Sequence, residues 1–241
     1  MGARAVKLTP KVFVDFDGTI TKHDVGNAFF RKFGDEAKLL AAIDRWKAGE
    51  LSGSGLLLVE ASTAVVTEAE AVKFIEGFEI DVSFKDFLGF CRSSGIELSI
   101  LSDGLAFYIE RILSVNGIEG VPFYSNRSQF IDGGIKIEFP YESDCTKCAN
   151  CKGYQVLTHT GADEVIVYIG NGYSDRCAVQ YADSIFAKDD LLRYCEENGV
   201  TYFPYDSFQD VLAKFRKILE RGKLRKRHRA ELKRREAYIS E

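Results

Sequence analysis

A short apolar run that ends in two aspartates constrains the fold of this chain more than any other stretch. Residues 12–19 read VFVDFDGT, so three strand-favouring apolar residues lead directly into Asp15 and Asp17. An unbroken apolar run of this kind predicts a strand buried on both faces of a parallel sheet. Gly18 then permits a turn that re-aims the second carboxylate. Because ligands of open α/β sheets bind at the carboxyl ends of the strands, the two acids are candidate functional residues.

Two carboxylates at this short spacing repel each other unless a cation or a shared proton keeps them together. A hard divalent cation such as Mg²⁺ takes oxygen ligands, so Asp15 and Asp17 predict a Mg²⁺ site. The alternative is a strand that ends in an acidic turn, whose carboxylates cap the next helix. A lone D-x-D pattern is compatible with both, whereas D-x-D-G-T directly after an apolar strand, as in residues 12–19, is far more specific.

Apolar strands alternate with helical segments from residue 81 onward. Ser83 is the predicted N-cap of a helix that ends at Ser94. Asp132 and Gly133 predict the turn of a β-hairpin, because this dipeptide adopts the positive φ angles that the turn needs. Further buried strands are predicted at Ile96–Leu101, Glu164–Ile169, Ser184–Ala187 and Thr201–Phe203. This alternation predicts an α/β fold with a doubly wound, Rossmann-like parallel sheet as its core.

Residues 22–80 show helical periodicity without strand-like alternation. The predicted helices are Val25–Phe33, Glu36–Lys47, Gly55–Ala64 and Glu68–Phe78. Thr67 and Glu70 form a capping-box pattern at the start of the last helix. A helical insert between two strands of a parallel sheet is typical of a cap. We therefore expect an inserted helical cap domain at 22–80 and a core domain made of 1–21 and 81–241.

Composition argues against several classes of protein. Of the 241 residues, 46% are apolar and 28% are charged, which is typical of a globular protein of one or two domains. The net charge of −4 does not favour nucleic-acid binding. Because we find neither an apolar run long enough to span a membrane nor a signal-peptide pattern at residues 1–10, we expect a cytoplasmic protein without a membrane span. A homodimer is compatible with the sequence.

Residues 221–235 form a basic tail with nine Lys or Arg residues and one acid, Glu231. A solvated helix face is the predicted role of this tail, and a weakly bound anionic partner is the alternative. Aromatic residues are not interleaved with the basic ones, so sequence-specific RNA recognition is not expected.

Other predicted strand ends carry side chains that suit phosphate chemistry. Ser102 follows the second strand, where a hydroxyl and main-chain N–H groups can hold phosphate oxygens. Lys152 offers positive charge, and Asn171 and Asp175 follow a third strand. Taken alone, each also has an ordinary role, such as turn formation for the serine, solvation for the lysine and helix capping for Asp175.

The order of these residues resembles the four motifs of the haloacid dehalogenase-like phosphohydrolases. The matching residues, in chain order, are Asp15, Asp17, Ser102, Lys152, Asn171 and Asp175. The resemblance covers residues 11–190 and is closer to the phosphoserine phosphatase-like branch, especially the methionine-salvage hydroxyketo-methylthiopentenyl-phosphate phosphatases. The segments that carry this closer resemblance are Asp15–Asp24, Trp46–Leu51, Ile131–Tyr141, Cys151–Gly153 and Tyr168–Asp175.

The resemblance implies a catalytic role for several residues. Asp15 would attack phosphorus and form an aspartyl-phosphate. Asp17 would protonate the leaving oxygen and then deprotonate the water that hydrolyses the intermediate. Ser102 and Lys152 would bind and neutralise the phosphoryl group. A metal and a lysine together would let an anionic carboxylate approach an anionic phosphate.

The same resemblance implies the metal ligands and the substrate contacts. Mg²⁺ would be held by the carboxylate of Asp15, the main-chain carbonyl of Asp17 and the side chain of Asn171. Asp175 would orient a water ligand of the metal. The substrate-binding residues implied are Ser102, Asp103, Gly104 and Asp24.

Two positions depart from the family pattern. Asn171 stands where the family usually has aspartate, so the expected metal site has one negative charge less. Glu60 falls where phosphoserine phosphatases have an arginine that binds the substrate carboxylate. Asp24 matches the acid that binds the substrate ammonium in that branch, but relatives with other substrates share this acid.

From this pattern we expect a Mg²⁺-dependent phosphatase that acts on a small phosphorylated metabolite. The favoured substrate is 2-hydroxy-3-keto-5-methylthiopentenyl-1-phosphate, and phosphoserine or another small phosphomonoester is the alternative. A phosphate-binding protein with impaired catalysis is the non-enzyme alternative, and the change at Asn171 alone favours it.

Three cysteines, Cys145, Cys148 and Cys151, have the spacing of metal ligands. A structural zinc ion would need a fourth ligand, for which His23 and His159 are both candidates. The alternative is a set of reduced thiols along a loop. The other cysteines, which we expect to be buried on helices, are Cys91, Cys177 and Cys195.

Overall fold

The computed structural model describes residues 8–141 and 143–239. Its strands are β1 (Thr9–Asp15), β2 (Glu97–Leu105), β3 (Phe123–Ile131), β4 (Gly134–Glu138), β5 (Glu164–Gly170), β6 (Ser184–Ala187) and β7 (Phe203–Pro204). They form one seven-stranded sheet in the order β4-β3-β2-β1-β5-β6-β7. Strand β1 pairs in parallel with β5, β2 with β3, β5 with β6 and β6 with β7, whereas β3 and β4 form an antiparallel hairpin. The predicted α/β fold with a mostly parallel sheet is confirmed.

Helices fill the connections between most of the strands. They are α1 (Val25–Phe33), α2 (Glu36–Lys47), α3 (Gly53–Thr63), α4 (Glu68–Ile75), α5 (Phe84–Ser93), α6 (Ala106–Val115), α7 (Lys152–Thr158), α8 (Arg176–Val179), α9 (Asp189–Glu197), α10 (Phe208–Glu220) and α11 (His228–Ile239). Helices α1 to α4 follow β1 in an uninterrupted series, so the predicted helical insert is present. Its assignment to a cap domain with the bounds 22–80 stays a prediction.

Two local signals in the sequence act as predicted. Thr67 accepts a hydrogen bond from the N–H of Glu70, and the Glu70 carboxylate accepts one from the N–H of Thr67 at 2.9 Å. This reciprocal pair satisfies main-chain donors at the start of α4. At the β3–β4 hairpin, Asp132 and Gly133 have φ angles of 51° and 74°, as the two-residue turn requires.

Ser83 occupies the predicted N-cap position, immediately before α5 begins at Phe84. Ser83 makes no capping hydrogen bond to α5, because both its N–H and its hydroxyl donate to the Asp81 carboxylate instead. Ser83 Oγ also accepts from the N–H of Gln209, and the second oxygen of Asp81 accepts from the N–H of Phe208. These two residues therefore secure the start of α10, a contact between distant parts of the sequence.

The chain divides into two compact units. The first unit consists of residues 1–15, 81–99 and 153–241, and the second of residues 16–80 and 100–152. In the first unit, an aromatic cluster joins α5 to α10 through Phe84, Phe87 and Phe208. In the second unit, Phe29 on α1 packs edge-on against Phe107 on α6.

The basic tail, which belongs to the first unit, packs against other residues of that unit more closely than a solvated helix would. Arg234 on α11 is only 8% exposed and donates to the Asp183 carboxylate at 3.0 Å. The N–H of Arg227 donates to the same carboxylate. The prediction of a solvated face is therefore wrong at Arg234.

No helix among the described residues is long and apolar enough to cross a membrane. The signal-peptide prediction concerns residues 1–10, of which 1–7 lie outside the described part of the chain.

Candidate active site

Four hydrogen bonds fix the carboxylate of Asp17 in the second unit. Its Oδ1 accepts from the N–H groups of Val25 at 3.0 Å and Gly26 at 3.3 Å, in the first turn of α1. Its Oδ2 accepts from the hydroxyls of Tyr108 at 2.9 Å and Ser102 at 3.2 Å. The helix start favours negative charge, and the two hydroxyls set the orientation of the second oxygen.

The pKa of Asp17 is shifted toward neutral pH. Burial raises the pKa of Asp17 to about 7, and the negative charge of Asp24 adds to the shift. The hydrogen bonds from Tyr108 and Gly26 and the positive charge of Lys152 act in the opposite direction. A carboxyl with a pKa in this range can both give and take a proton near neutral pH.

Two glycines, Gly18 and Gly104, allow the close packing of side chains around Asp17. Gly18, which follows it, has a φ of 72°, a left-handed conformation that favours glycine. Gly104 at the end of β2 has no room for a side chain, because a Cβ there would lie 1.5 Å from the Tyr108 hydroxyl. The same Cβ would lie 3.0 Å from Oδ2 of Asp17. The close approach of Tyr108 to Asp17 thus requires glycine at position 104.

Ser102 and Asp103 lie within β2, which runs on to Leu105 rather than ending at residue 101 as predicted. The Ser102 hydroxyl accepts from the N–H of Gly104 at 2.9 Å while it donates to Asp17. One oxygen of Asp103 accepts from the N–H of Asn150 at 2.6 Å. The buried Asn150 amide donates in turn to the main-chain oxygens of Ser102 and Tyr124. Asn150 therefore ties the loop before α7 to β2 and β3.

Lys152, the first residue of α7, is 1% exposed. A buried lysine is costly unless acids compensate its charge. Its positive charge lowers the pKa of Asp17 and of Asp24, which shows that the three groups interact electrostatically. In the second unit, the Asp17 carboxylate thus interacts both with the Ser102 hydroxyl and with the buried Lys152.

Two further acids belong to the second unit. Asp24 is the N-cap of α1, where its side chain accepts from the N–H of Asn27 at 2.8 Å. Glu60 on α3 is 7% exposed. Burial, together with the negative charges of Asp24 and Asp103, raises the pKa of Glu60 from 4.5 to about 8. At neutral pH the protonated, neutral form of Glu60 is therefore favoured.

The first unit carries the remaining predicted residues. Asp15, only 4% exposed, ends β1, which runs parallel to β5 with Val14 paired to Ile169. The strand ends at Asp15 and Gly170 therefore lie at the same edge of the sheet. Asn171 follows directly after Gly170.

Asp175 organises the loop after β5. It is fully buried, and its Oδ1 accepts from the Tyr168 hydroxyl at 2.6 Å. Its Oδ2 accepts from the N–H groups of Asn171 at 3.0 Å and Gly172 at 2.8 Å. A Cβ on Gly170 would lie 2.4 Å from that oxygen, so this loop also requires glycine. Burial raises the pKa of Tyr168 well above its ordinary value, with the charges of Asp175 and Asp15 adding to the shift.

The structure places the predicted residues in two groups. The second unit brings together Asp17, Asp24, Ser102, Asp103, Gly104 and Lys152. The first unit contains Asp15, Asn171 and Asp175. Sequence reasoning missed Tyr108, Asn150 and Tyr168. A tyrosine on a helix and an asparagine in a loop carry no local signal, since their partners are distant in the sequence.

The chain is similar to known proteins over most of its length. The family model of the haloacid dehalogenase-like hydrolases matches residues 12–180. A protein of Bacillus mycoides named 2-hydroxy-3-keto-5-methylthiopentenyl-1-phosphate phosphatase is 30% identical over 219 residues, covering 87% of this chain and 97% of that protein. Its namesake in Bacillus cereus is 31% identical over 216 residues, with the same two coverages of 87% and 97%.

A solved phosphoserine phosphatase structure with an analogue of the phospho-aspartyl intermediate has a similar fold. Its TM-score is 0.62 at 16% identity, and the match covers 89% of this chain and 99% of that chain. The long family match and the relatives at about a third identity decide the family, as the order of the motifs predicted. The chain belongs to the haloacid dehalogenase-like hydrolases.

Proposed function

We propose that this protein is a Mg²⁺-dependent phosphomonoesterase that hydrolyses a small phosphorylated metabolite through an aspartyl-phosphate. The observation that carries the proposal is the arrangement of Asp17, Ser102 and the buried Lys152 in one unit. Phosphoryl transfer needs positioning and positive charge around the phosphoryl oxygens, and this group offers both.

Each residue has a distinct task in the proposed reaction. Asp15 is the nucleophile at phosphorus. Lys152 and the hydroxyl of Ser102 hold the phosphoryl oxygens. Oδ2 of Asp17 transfers the proton, first to the leaving oxygen and later from water, and its contact with the Ser102 hydroxyl supports this assignment. Tyr108 positions the same oxygen by its hydrogen bond.

The donor set suits Mg²⁺. Asp15, the main-chain carbonyl of Asp17, Asn171 and Asp175 all offer oxygen, the ligand atom that a hard dication prefers. When bound, Mg²⁺ would supply positive charge that lowers the repulsion between the nucleophile and the phosphate. Both carboxylate oxygens of Asp175 already accept hydrogen bonds, which fits a residue that holds Asn171 in place.

The proposed substrate is 2-hydroxy-3-keto-5-methylthiopentenyl-1-phosphate. Support comes from the relatives of that name at 30% and 31% identity and from Glu60, a neutral group where phosphoserine phosphatases have an arginine. Asp24 and Asp103, which interact electrostatically with Glu60, would lie beside the substrate together with Gly104. Phosphoserine is the alternative substrate. A cytoplasmic location and a homodimer are also part of the proposal.

Phosphate release from p-nitrophenyl phosphate, with and without Mg²⁺, tests the reaction, and a panel of phosphorylated metabolites tests the substrate. We expect release that requires Mg²⁺ and highest kcat/KM on the enol phosphate. Asp17→Asn, prepared in parallel, shows whether a contaminating phosphatase contributes. No release from any member of the panel would instead favour the phosphate-binding protein with impaired catalysis.

A further inference from the structure

Three cysteine side chains of the second unit converge in the loop before α7. The sulfur atoms of Cys145, Cys148 and Cys151 all lie within 4.8 Å of one another. Cys151 is 8% exposed, and the other two are half-buried. Two residues separate consecutive cysteines, which is the spacing of metal ligands. His23, a ligand candidate from the sequence in the same unit, is not part of this group.

The distances suit a common metal ion better than a disulfide. Sulfur ligands of tetrahedral zinc lie at about 2.3 Å from the metal and therefore roughly 3.8 Å from one another. A small inward movement of the three side chains reaches that separation. A disulfide would join only two of the three cysteines, whereas one metal ion can be coordinated by all three. Soft thiolates select zinc rather than the magnesium of the proposed active site.

The cysteine loop positions functional residues although it lacks regular secondary structure. Residues 143–151 contain no helix or strand. The loop nevertheless positions Asn150, which makes three hydrogen bonds to β2 and β3, and leads directly into Lys152. It also packs closely on α3, since a Cβ on Gly53 would lie 2.8 Å from the main-chain nitrogen of Ala149.

We propose that Cys145, Cys148 and Cys151 bind a structural zinc ion, which fixes the loop that carries Asn150 and Lys152. A bound metal restrains a loop by fixing several side chains at once, and its binding free energy contributes directly to folding. The metal would thus hold Lys152 at its buried place. The proposal does not depend on the proposed function, because metal content is measured without substrate.

A zinc ion held by protein alone takes four ligands, so one more ligand must join the three. The variant series therefore also includes Cys177→Ser, as a test for the fourth ligand.

Elemental analysis of the untagged protein, purified in buffers without added zinc, tests the site. We expect about one zinc ion per chain in the wild type, counted separately from magnesium. Cys148→Ser should lose most of this zinc. Cys195→Ala, which removes a buried thiol outside the group, should keep it. Absence of zinc from the wild type, or full zinc in Cys148→Ser, would overturn the proposal.

A second measurement avoids variants that fail to fold. Zinc in the wild type is exchanged for Co²⁺, and the absorption spectrum is recorded. Thiolate ligands give Co²⁺ a strong charge-transfer band in the near ultraviolet and intense visible bands typical of tetrahedral coordination. We expect both features in the intact protein. A Co²⁺ spectrum without the thiolate band would rule out ligation by the cysteine group.

Discussion

Asp15 is the residue on which turnover should depend most strongly. It ends β1 with 4% of its surface exposed, and asparagine has nearly the same shape without the nucleophilic oxygen. We predict that Asp15→Asn abolishes turnover while the fold and the binding of a phosphate analogue survive. Loss of the nucleophile should raise the barrier by at least several kcal/mol. Turnover above about a tenth of the wild-type rate would contradict covalent catalysis by Asp15.

Asn171 gives a second prediction for a single residue. A neutral amide oxygen is a weaker ligand for a hard dication than a carboxylate, so Asn171→Asp should tighten Mg²⁺ binding in the substrate-free protein. Calorimetric titration without phosphate measures the change. Asn198→Asp is the control, because it adds the same charge at an exposed position on the same unit. Equal Mg²⁺ affinity of Asn171→Asp and the wild type would mean that Asn171 is not a direct ligand.

Glu60 bears on substrate choice. As a buried, protonated group it offers no positive charge to a substrate carboxylate. We predict that kcat/KM for phosphoserine is at least roughly tenfold below that for a phosphoester with a neutral tail. Steady-state kinetics gives kcat/KM for both compounds and so tests this prediction. A preference for phosphoserine would point to another cation such as Arg45, which is exposed and lies 4.0 Å from Glu50.

At the scale of elements, the end of β2 and the start of α6 depend on Gly104. An alanine there would bring its Cβ to 1.5 Å from the Tyr108 hydroxyl, so Tyr108 must move away from Asp17. We predict that Gly104→Ala lowers the free energy of unfolding by about 1–3 kcal/mol, as overpacking usually does, and reduces turnover. Denaturant unfolding measures the first effect.

The matched control for this change is Gly89→Ala in α5. A Cβ on Gly89 meets no atom within 4 Å, so alanine is accommodated within a helix that it favours. Gly89→Ala should raise the free energy of unfolding by about 0.5–1 kcal/mol. If the two variants changed stability in the same direction, the steric argument for Gly104 would be wrong.

Elements with local signals could be predicted from the sequence. Each such signal lies within a few consecutive residues. Examples are the capping box of Thr67 and Glu70, the turn at Asp132 and the apolar run before Asp15. Ser83 shows the limit: its predicted position before α5 is correct, but its hydroxyl donates to Asp81 and accepts from the first turn of α10 instead of capping the helix. That competing contact forms only once residues 126 positions apart meet.

The same limit applies to the candidate site. Ser102, Lys152 and Asp175 follow motifs whose order could be recognised. Tyr108 reaches Asp17 across 91 positions, and the periodicity of α6 explains only that Tyr108 is buried. Its hydrogen bond depends on the absence of a side chain at Gly104, a steric relation between elements that no local pattern encodes.

For the whole molecule, the buried acid Glu60 makes stability depend on pH. The pKa of Glu60 is raised from 4.5 to about 8 in the folded protein, first by burial and then by the charges of Asp24 and Asp103. Below pH 4.5 the side chain is protonated in both the folded and the unfolded states, and its stabilising contribution is complete. As the pH rises from 4.5 toward 8, the unfolded state releases the proton that the folded state retains. Stability therefore falls across this interval.

We predict that Glu60→Gln removes this loss, because glutamine stays neutral at every pH. The difference in unfolding free energy, wild type minus Glu60→Gln, should decrease between pH 5 and pH 8 by up to about 1.4 kcal/mol per pH unit. Groups that titrate equally in both proteins cancel in this difference. Glu220→Gln, at an exposed position in α10, should leave the pH dependence unchanged. Denaturant unfolding at several pH values gives the comparison, and parallel curves for wild type and Glu60→Gln would mean that Glu60 ionises normally in the folded protein.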